Sequence, residues 1–359
     1  MRGSPLLAVF GGLALLMTPL ASLAEPEAEA PVMVVDLHVD LPWQVHFKGR
    51  VPDMTEGHVT AAGLAAGRYG GLVLPIYLPD YLHADGAHVE DADAVLATIE
   101  QLLAKNPLFL PLRSAFAEPE RISTWLAIEG AGAFAQDPTQ LDRFIALGVR
   151  LVGPAHGKNG PLASAATGEK ADYGLTPVGK EICHRIYRLG ALVDVSHLSD
   201  AAFDDLVPIA EAHGAPIVAT HSNARALARH PRNLSDAQLR AIGKSGGVAG
   251  VNFHSAFVAD SSEVTLTHVL AQIDYMIGMA GIDHVAIGSD FDGGIRPAKG
   301  LADASHMPAL ATALKKRGVS HADVLKIFSL NALRVLAWRP QPAASAPADP
   351  SPSERATGG

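Results

Sequence analysis

The most constraining feature of this sequence is a regular alternation of short apolar runs with longer helical patterns. Eight runs are rich in β-branched and other apolar residues, a composition typical of strands. The predicted strands are Val32 to Asp40, Gly71 to Leu78, Thr124 to Gly130, Val149 to His156, Leu192 to Ser199, Ile217 to Asn223, Gly247 to His254 and His284 to Asp292. Repeated β–α units of this kind favour a parallel sheet.

Helical patterns lie between the predicted strands, and several begin at a capping residue or a proline and end at a glycine. They include Asp91 to Ala104, Pro138 to Leu147, Pro177 to Leu189, Asp200 to His213, Ser235 to Lys244 and Thr265 to Ala280. Eight parallel strands with intervening helices predict an α/β fold of the TIM-type (β/α)8 barrel, with the active site at the carboxyl ends of the strands. A doubly wound open sheet is the alternative topology.

The amino-terminal segment, residues 1–24, has the composition of an export signal. Arg2 precedes an apolar run from Leu6 to Leu20, and small residues follow at Ser22 to Ala24. Because the run is shorter than a membrane-spanning helix requires, we expect cleavage before Glu25. The mature chain is then expected to be periplasmic or secreted and to have no stable membrane anchor.

The remainder of the chain predicts one domain followed by a tail. The barrel domain is expected to cover residues 25–338, and the Pro-, Ala- and Ser-rich residues 339–359 are expected to form a disordered tail. The net charge of −9 and the lack of a basic cluster argue against nucleic acid as a partner. Cys183 is the only cysteine, so an internal disulfide is excluded, and its place in a helical pattern favours a packed thiol.

Most of the predicted strands end at a side chain that can bind a metal or move a proton. In a barrel, such side chains converge on one mouth although they are far apart in the sequence. They are His38, Asp40, Glu129, His156, His197, His221 and Asp290. Asn252 and His254, near the end of the seventh predicted strand, are further candidates for substrate contact.

Imidazole and carboxylate groups together suit zinc, and this set contains no thiolate. On a strand, His38 and Asp40 would share one face because side chains alternate. Each histidine taken alone also fits a hydrogen-bonded core residue, so the metal hypothesis depends on the set as a whole. Glu129 can bridge two ions because a carboxylate has two oxygens. We predict one zinc ion at His38, Asp40 and Glu129. A second is predicted at Glu129, His197 and His221.

Six blocks of sequence resemble the membrane (renal) dipeptidase family, in the same order and over roughly residues 33–336. The blocks are Asp36-Leu37-His38-Val39-Asp40, Ile128-Glu129-Gly130, Leu175-Thr176-Pro177 with Gly179-Lys180, Leu189-Gly190 with Val193-Asp194-Val195-Ser196-His197, Thr220-His221-Ser222-Asn223, and Gly288-Ser289-Asp290-Phe291-Asp292-Gly293. The combination of D-V-S-H with S-D-F-D-G is specific. The resemblance implies a binuclear zinc dipeptidase of the metal-dependent amidohydrolase superfamily, which cleaves dipeptides with a metal-bridging hydroxide.

The resemblance also implies three roles outside the metal ligands. His156 corresponds to the histidine that stabilises the oxyanion, and Arg232 to the arginine that binds the terminal carboxylate of the substrate. Asp290 corresponds to the aspartate that meets the free amino group and moves protons. A hydrogen-bond donor and an arginine suit the first two tasks chemically, although Arg232 without the resemblance fits a solvated loop residue equally well.

The sequence departs from the mammalian members of this family in lacking their disulfides and their lipid-anchoring tail. A homodimer is therefore expected only without a disulfide. Two other functions remain open. One is a cyclic-amide or N-acyl amino acid hydrolase on the same barrel, although many of those enzymes bridge their metals with a lysine that the fourth predicted strand lacks. The other is an exported metal- or ligand-binding protein without turnover. The side-chain preference, the stereochemistry of the substrate and the physiological metal are not fixed by the sequence.

Overall fold

The computed structural model describes Met1 and residues 29–112, 121–169 and 172–340. Apart from Met1, the predicted export signal lies outside the described residues, as does the predicted tail from residue 341 onward. The chain divides into a short unit, Met1–Pro31, and a large unit, Val32–Gly359, and all the elements described below belong to the large unit. Within the described ranges, every helix is too short or too polar to cross a bilayer.

Eight parallel strands form a single sheet. They are β1 (Val34–Asp36), β2 (Tyr69–Tyr77), β3 (Ser123–Glu129), β4 (Val149–Gly153), β5 (Leu192–Val193), β6 (Val218–Ala219), β7 (Val248–Val251) and β8 (Val285–Ile287). The strand order is β5-β4-β3-β2-β1-β8-β7-β6. A parallel bridge between Asp194 and Val218 joins β5 to β6 just beyond the end of β5. The sheet is therefore a (β/α)8 barrel, as predicted, and the open-sheet alternative is wrong.

Helices alternate with the strands. The α-helices are α1 (Leu41–His46), α2 (Ala61–Ala66), α3 (Val89–Lys105), α4 (Thr139–Ala146), α5 (Pro177–Arg188), α6 (Asp200–Ala212), α7 (Asp236–Lys244), α8 (Ser255–Val258), α9 (Leu266–Ala280), α10 (Met307–Lys316), α11 (His321–Leu325) and α12 (Asn331–Leu336). A π-helical turn spans Lys326–Leu330, and 3-10 turns span Ala131–Phe134, Ile282–His284 and Ala304–His306.

The helix starts follow the capping chemistry of the sequence. Ser199 accepts a hydrogen bond from the Ala202 amide at the start of α6, and Thr176 accepts one from Gly179 at the start of α5. Each cap satisfies an amide that the helix itself leaves unpaired. Because these signals are local, the structure starts α6 at Asp200 and α9 within one residue of the prediction.

Aliphatic side chains of the strands fill the core. Leu72, Leu74, Leu126, Ile128 and Val152 are all buried. Burying each such side chain stabilises the fold by about 1.5–3 kcal/mol, before the cost of ordering the chain. The core therefore gives a rigid frame from which the loops at the carboxyl ends of the strands are held. Cys183 on α5 is also fully buried and is a free thiol, as predicted.

Six of the eight predicted strands are longer than the observed ones, mainly at their carboxyl ends, whereas β2 and β3 agree within two residues at each end. Of the predicted site residues, only Glu129 lies within a strand. His38 lies two residues beyond β1, so it does not share a strand face with Asp40 as the alternation rule predicted. Side-chain contacts supplement the backbone hydrogen bonds here: Asp36 accepts hydrogen bonds from the backbone amides of His38 (3.2 Å) and Ser289 (2.9 Å). The ends of β1 and β8 are thereby tied together.

Candidate active site

Five side chains predicted as metal ligands meet at the carboxyl end of the barrel. Glu129 ends β3, His197 and His221 follow β5 and β6, and His38 and Asp40 follow β1. Four of them are buried, and only the side chain of His197 retains some exposure to the cleft. The fold therefore brings together residues from four separate parts of the sequence.

Glu129 is the centre of this cluster. Its Oε1 lies 2.9 Å from His197 Nε2 and 3.6 Å from both His38 Nε2 and His221 Nε2. His38 Nε2 also lies 3.3 Å from Asp40 Oδ2. The ligand atoms form two overlapping groups, each within 4.8 Å, which share Glu129. One group contains His38 and Asp40, and the other contains His197 and His221, while a further group of His38, His221 and Asp290 overlaps both.

The donor atoms fit divalent metal ions. Nε2 of His38 is buried and has no hydrogen-bond partner among the described residues. Nε2 of His197 lies 3.1 Å from Nε2 of His221, so two imidazole nitrogens face the same point as Glu129. Two nitrogen lone pairs this close repel each other, and a cation bound between them relieves that repulsion. An all-nitrogen and oxygen set of this kind suits zinc.

The electrostatics of the cluster favour the metal-binding form of His197, His221 and Glu129 and place positive charge on His38. Burial lowers the pKa of both His197 and His221 well below the ordinary value, so both imidazoles are neutral. Burial alone would raise the pKa of Glu129, but the charge of His38 and the contact with His197 lower it, and the carboxylate stays charged. Burial would likewise lower the pKa of His38, but Asp40 and Glu129 raise it to about 10. The buried carboxylates thus attract positive charge.

Asp290 lies beside this cluster in a strained backbone conformation. Its φ of 62° is in the left-handed region, which non-glycine residues rarely adopt. Burial, reinforced by Asp40, raises the pKa of Asp290 well above its ordinary value. Asn252 donates a hydrogen bond from Nδ2 to Asp290 Oδ2 (2.9 Å). Asn252, which the sequence left as a candidate for substrate contact, therefore holds the Asp290 carboxyl group.

Gly293 leaves space for the two neighbouring carboxyl groups. A Cβ at this position would lie 2.5 Å from Asp40 Oδ2 and closer still to Asp290 Oδ1. Any larger residue would therefore displace a carboxylate of the cluster. This explains physically why a glycine follows the S-D-F-D segment.

Arg232 is a buried cation without a carboxylate partner among the described residues. It is 5% exposed, and burial lowers its pKa. Its Nη1 donates to Ser222 Oγ (3.4 Å), and its Nη2 lies 3.1 Å from His197 Nε2. The guanidinium group also lies 5.7 Å from the centre of the Phe257 ring. A buried guanidinium that faces a cleft without an anion is prepared to bind one.

His156 follows β4 and lies against the cluster. The centre of its ring is 4.3 Å from that of His197, and its Nδ1 lies 3.4 Å from the hydroxyl of Tyr77. Asp80 holds the segment that follows, since it accepts hydrogen bonds from the amides of Gly157 and Lys158. Tyr77 was not identified from the sequence, because an aromatic residue inside a strand gives no signal that separates a site from a core position.

Most of these groups line one cleft of about 450 Å³. Its polar wall is formed by Asp40, Glu129, His156, His197, His221, Arg232, His254 and Asp290. The apolar walls are formed by Trp43, Tyr77, Phe257 and Ile295. The cleft thus combines a cluster of potential metal ligands, a buried cation and a buried carboxyl group within one small volume.

Comparisons with known proteins agree with this arrangement. A sequence profile of the membrane dipeptidases (Peptidase family M19) matches residues 27–347. A protein encoded in the pqqA 5' region of Klebsiella pneumoniae is 41% identical over 260 residues, which cover 67% of this chain and 93% of that protein. Dipeptidase verJ of Clonostachys rogersoniana is 30% identical over 332 residues, which cover 86% of this chain and 84% of the relative.

A solved structure shows the same fold. The metallopeptidase of Rhodobacter sphaeroides, crystallised with a phosphinate mimic of the dipeptide L-Ala-D-Ala, superposes with a TM-score of 0.74 at 28% identity. The superposition covers 85% of this chain and 98% of that protein. The similarity therefore extends over the whole barrel and not over a single motif.

Proposed function

Because this chain belongs to the membrane dipeptidase family, a family of metallopeptidases, we propose that it cleaves free dipeptides with two zinc ions held by the five-residue cluster. The chain is thus a dipeptidase and a hydrolase, and the number of ions, their identity and the role of each residue form the proposal. Family membership favours this function over the cyclic-amide hydrolase and the non-catalytic binding protein.

The observation that carries the proposal is the pairing of a buried cation with buried carboxyl groups in one cleft. A free dipeptide has a carboxylate at one end and an ammonium group at the other. Arg232 has no carboxylate partner among the described residues, and its fork suits a carboxylate. Asp290 lies on the same cleft and can accept from the ammonium group. A substrate capped at either end would leave one of these buried groups unpaired.

The metal sites proposed here are His38, Asp40 and Glu129 for one ion, and Glu129, His197 and His221 for the other. When bound, two zinc ions supply a hydroxide at neutral pH and polarise the carbonyl of the scissile amide. The protein supplies the rest. Its cleft presents Arg232 and Asp290 to the two ends of the dipeptide.

His156 and Asp290 are proposed to handle charge and protons. The ring of His156 faces the cleft beside His197, where it can donate a hydrogen bond to the negative charge that develops on the carbonyl oxygen. Asn252 occupies one oxygen of Asp290, and Gly293 leaves room for the other next to Asp40. That second oxygen is proposed to carry a proton to the leaving amine.

The cellular setting is also a proposal. We infer export to the periplasm or the exterior from the composition of residues 1–24. The single thiol, Cys183, is buried. Any homodimer of the folded chain is therefore proposed to form without a disulfide.

A substrate panel tests the proposed function. Purified protein is assayed on a free dipeptide, its tripeptide extension, its N-acetyl derivative and its C-terminal amide. Because the Rhodobacter relative binds a mimic of L-Ala-D-Ala, the panel includes L,L and L,D dipeptides. We expect the free dipeptide to be cleaved at least about 30-fold more efficiently than the capped forms, the effect of about 2 kcal/mol for one lost buried charge pair. Faster cleavage of N-acyl amino acids or cyclic amides would overturn the proposal.

A further inference from the structure

A buried group of hydrogen bonds lies directly beneath the proposed metal ligands. Asp194 follows β5, and Thr220 follows β6, at the seam where the barrel closes. Asp194, Ser196 and Thr220 are all buried. None of these three was singled out from the sequence as a site residue, although all three lie within the family-like blocks.

Asp194 acts only as an acceptor in this group. Its Oδ1 accepts from the Ser196 amide (3.0 Å), the Ser196 hydroxyl (2.6 Å) and the Thr220 amide (3.0 Å). Its Oδ2 accepts from the Thr220 hydroxyl (2.6 Å). Four donors thus converge on one carboxyl group, which fixes the direction in which both hydroxyls point.

The direction of the Thr220 hydroxyl proton determines which ring nitrogen of His221 carries a proton. Thr220 Oγ1 lies 2.7 Å from His221 Nδ1. A threonine hydroxyl has a single proton, and Thr220 donates its proton to Asp194. The contact with His221 is therefore a hydrogen bond only if Nδ1 of His221 carries a proton and donates it. In a neutral imidazole, Nε2 then has the free lone pair, and Nε2 is the atom that faces Glu129.

The Nδ1 atoms of the other two histidines of the cluster also face hydrogen-bond acceptors. His197 Nδ1 lies 3.2 Å from the carbonyl oxygen of His156, which can only accept. His38 Nδ1 lies 3.4 Å from Thr220 Oγ1, which has already donated its proton. Each Nδ1 therefore faces an acceptor, whereas each Nε2 faces Glu129. A second acceptor behind each ligand orients its ring for metal binding.

We propose that Asp194, acting through Thr220, is a positioning residue that holds His221 as the Nδ1-protonated tautomer and directs its Nε2 lone pair to the metal. This inference rests on the proposed zinc site. Asp194 touches neither substrate nor metal in this account. Ser196 belongs to the same group of hydrogen bonds, because its hydroxyl donates to Asp194 and accepts from the backbone amide of His221 (3.1 Å).

The hydrogen bonds that link Asp194 through Thr220 to His221 form a relay. Two substitutions test this relay at different points. Asp194→Asn places an amide in the acceptor position, and an amide NH₂ group facing Thr220 would reverse the direction of its hydroxyl. Thr220→Val removes the hydroxyl and leaves His221 Nδ1 without its acceptor. Thr220→Ser keeps the hydroxyl and serves as the rescue variant. Thr124→Val is the matched control, since Thr124 is a buried threonine on β3 whose hydroxyl has no hydrogen-bond partner among the described residues.

Zinc affinity is the first readout, measured on each purified full-length variant by competition with a chromogenic chelator. We expect Asp194→Asn and Thr220→Val to weaken binding about 10–100-fold, the usual cost of losing such an outer partner. The zinc affinities of Thr220→Ser and Thr124→Val are expected to stay close to that of the parent protein. Equal affinity for zinc in Thr220→Val and the parent protein would overturn the inference.

The tautomer itself is the second readout and separates positioning from a loss of folding. In the zinc-free protein labelled with ¹⁵N-histidine, two-bond ¹H–¹⁵N spectra distinguish the two neutral tautomers, and His221 is assigned from a His221→Gln spectrum. We expect the Nδ1-protonated form in the parent protein and in Thr220→Ser. An Nε2-protonated His221 in the parent protein would contradict the inference.

The two proposals can fail separately. If the parent protein binds zinc and shows the expected tautomer but cleaves no dipeptide, the proposed function fails and the relay stands. If dipeptides are cleaved but the variants keep full zinc affinity, the relay alone fails.

Discussion

Oε1 of Glu129 lies 2.9 Å from Nε2 of His197, although the two residues belong to different β–α units of the barrel. The same oxygen also faces His38 and His221, so Glu129 is shared by both groups of metal-capable side chains. A shared carboxylate would allow five side chains to provide three ligands to each of two ions and to leave a position on each for water.

Replacement of Arg232 by Ala should weaken recognition of the substrate carboxylate. Because the guanidinium is buried, the loss of its ion pair is expected to reduce kcat/KM for a free dipeptide about 30-fold or more. The C-terminal amide of the same dipeptide offers no carboxylate, so its slow hydrolysis should change little. Arg232→Lys keeps the charge but not the forked guanidinium group, so its kcat/KM for the free dipeptide should lie between those of the parent protein and the alanine variant. An equal loss on both substrates would mean that Arg232 does not bind the carboxylate.

Asp290→Asn should slow the chemical step and preserve the metal. Asn is nearly isosteric with Asp and can still contact Asn252, but it cannot pass a proton to the leaving amine. A loss of kcat of about 10²–10⁴-fold is expected, the usual contribution of a positioned acid or base. Metal analysis of the same sample is the control, and the zinc content should match that of the parent protein. Unchanged kcat in a fully loaded variant would remove Asp290 from the mechanism.

The arrangement of strands and most of the helices could be predicted from the sequence because their signals are local. The caps at Thr176 and Ser199 and the apolar runs each depend on neighbouring residues. The lengths of the strands could not be predicted. β5 and β6 each contain only two residues. Isolated backbone hydrogen bonds such as Val195 N to Val218 O continue beyond them, while the amides of Ser196 and Thr220 bond to the side chain of Asp194.

The site was predictable where a residue carries a distinctive functional group at a strand end. His38 and Asp40 do meet, but in a segment beyond β1 rather than on one face of a strand. Tyr77, Asp194 and Thr220 could not be recognised in the same way. Their importance depends on which atoms lie within hydrogen-bond distance in space, and a sequence pattern does not contain that information.

Arg150 is expected to contribute to stability at the opposite, amino-terminal end of the barrel. This buried residue of β4 donates to three backbone carbonyls, those of Gly190, Leu336 and Trp338, and so ties the ends of α5 and α12 to the sheet. Arg150→Met should lower the free energy of unfolding by about 2–4 kcal/mol, since three charged hydrogen bonds are lost and the Gly190 carbonyl loses its donor. Urea denaturation measures this directly, with Arg150→Lys as the conservative control. A midpoint equal to that of the parent protein would contradict this role.

Cys183 should be unreactive in the folded protein. Its thiol is fully buried on α5, and burial raises its pKa to about 12, so very little thiolate exists in mildly alkaline buffer. A chromogenic disulfide reagent should therefore react only after denaturant is added, and then with one thiol per chain. Rapid reaction of the native protein would show that α5 opens readily or that the thiol is accessible.

A measurement of zinc content and its dependence on Glu129 shows whether the five side chains hold two ions through a shared carboxylate. Metal content and dipeptide hydrolysis are measured on the same samples of the parent protein and of Glu129→Gln, after chelation and after stepwise return of zinc. The parent protein is expected to regain activity as its zinc content rises to two ions per chain. Glu129→Gln should lose at least one ion and more activity than the roughly 10–100-fold that loss of an outer partner costs. Full activity with no more than one ion per chain, or two tightly held ions in Glu129→Gln, would contradict the account.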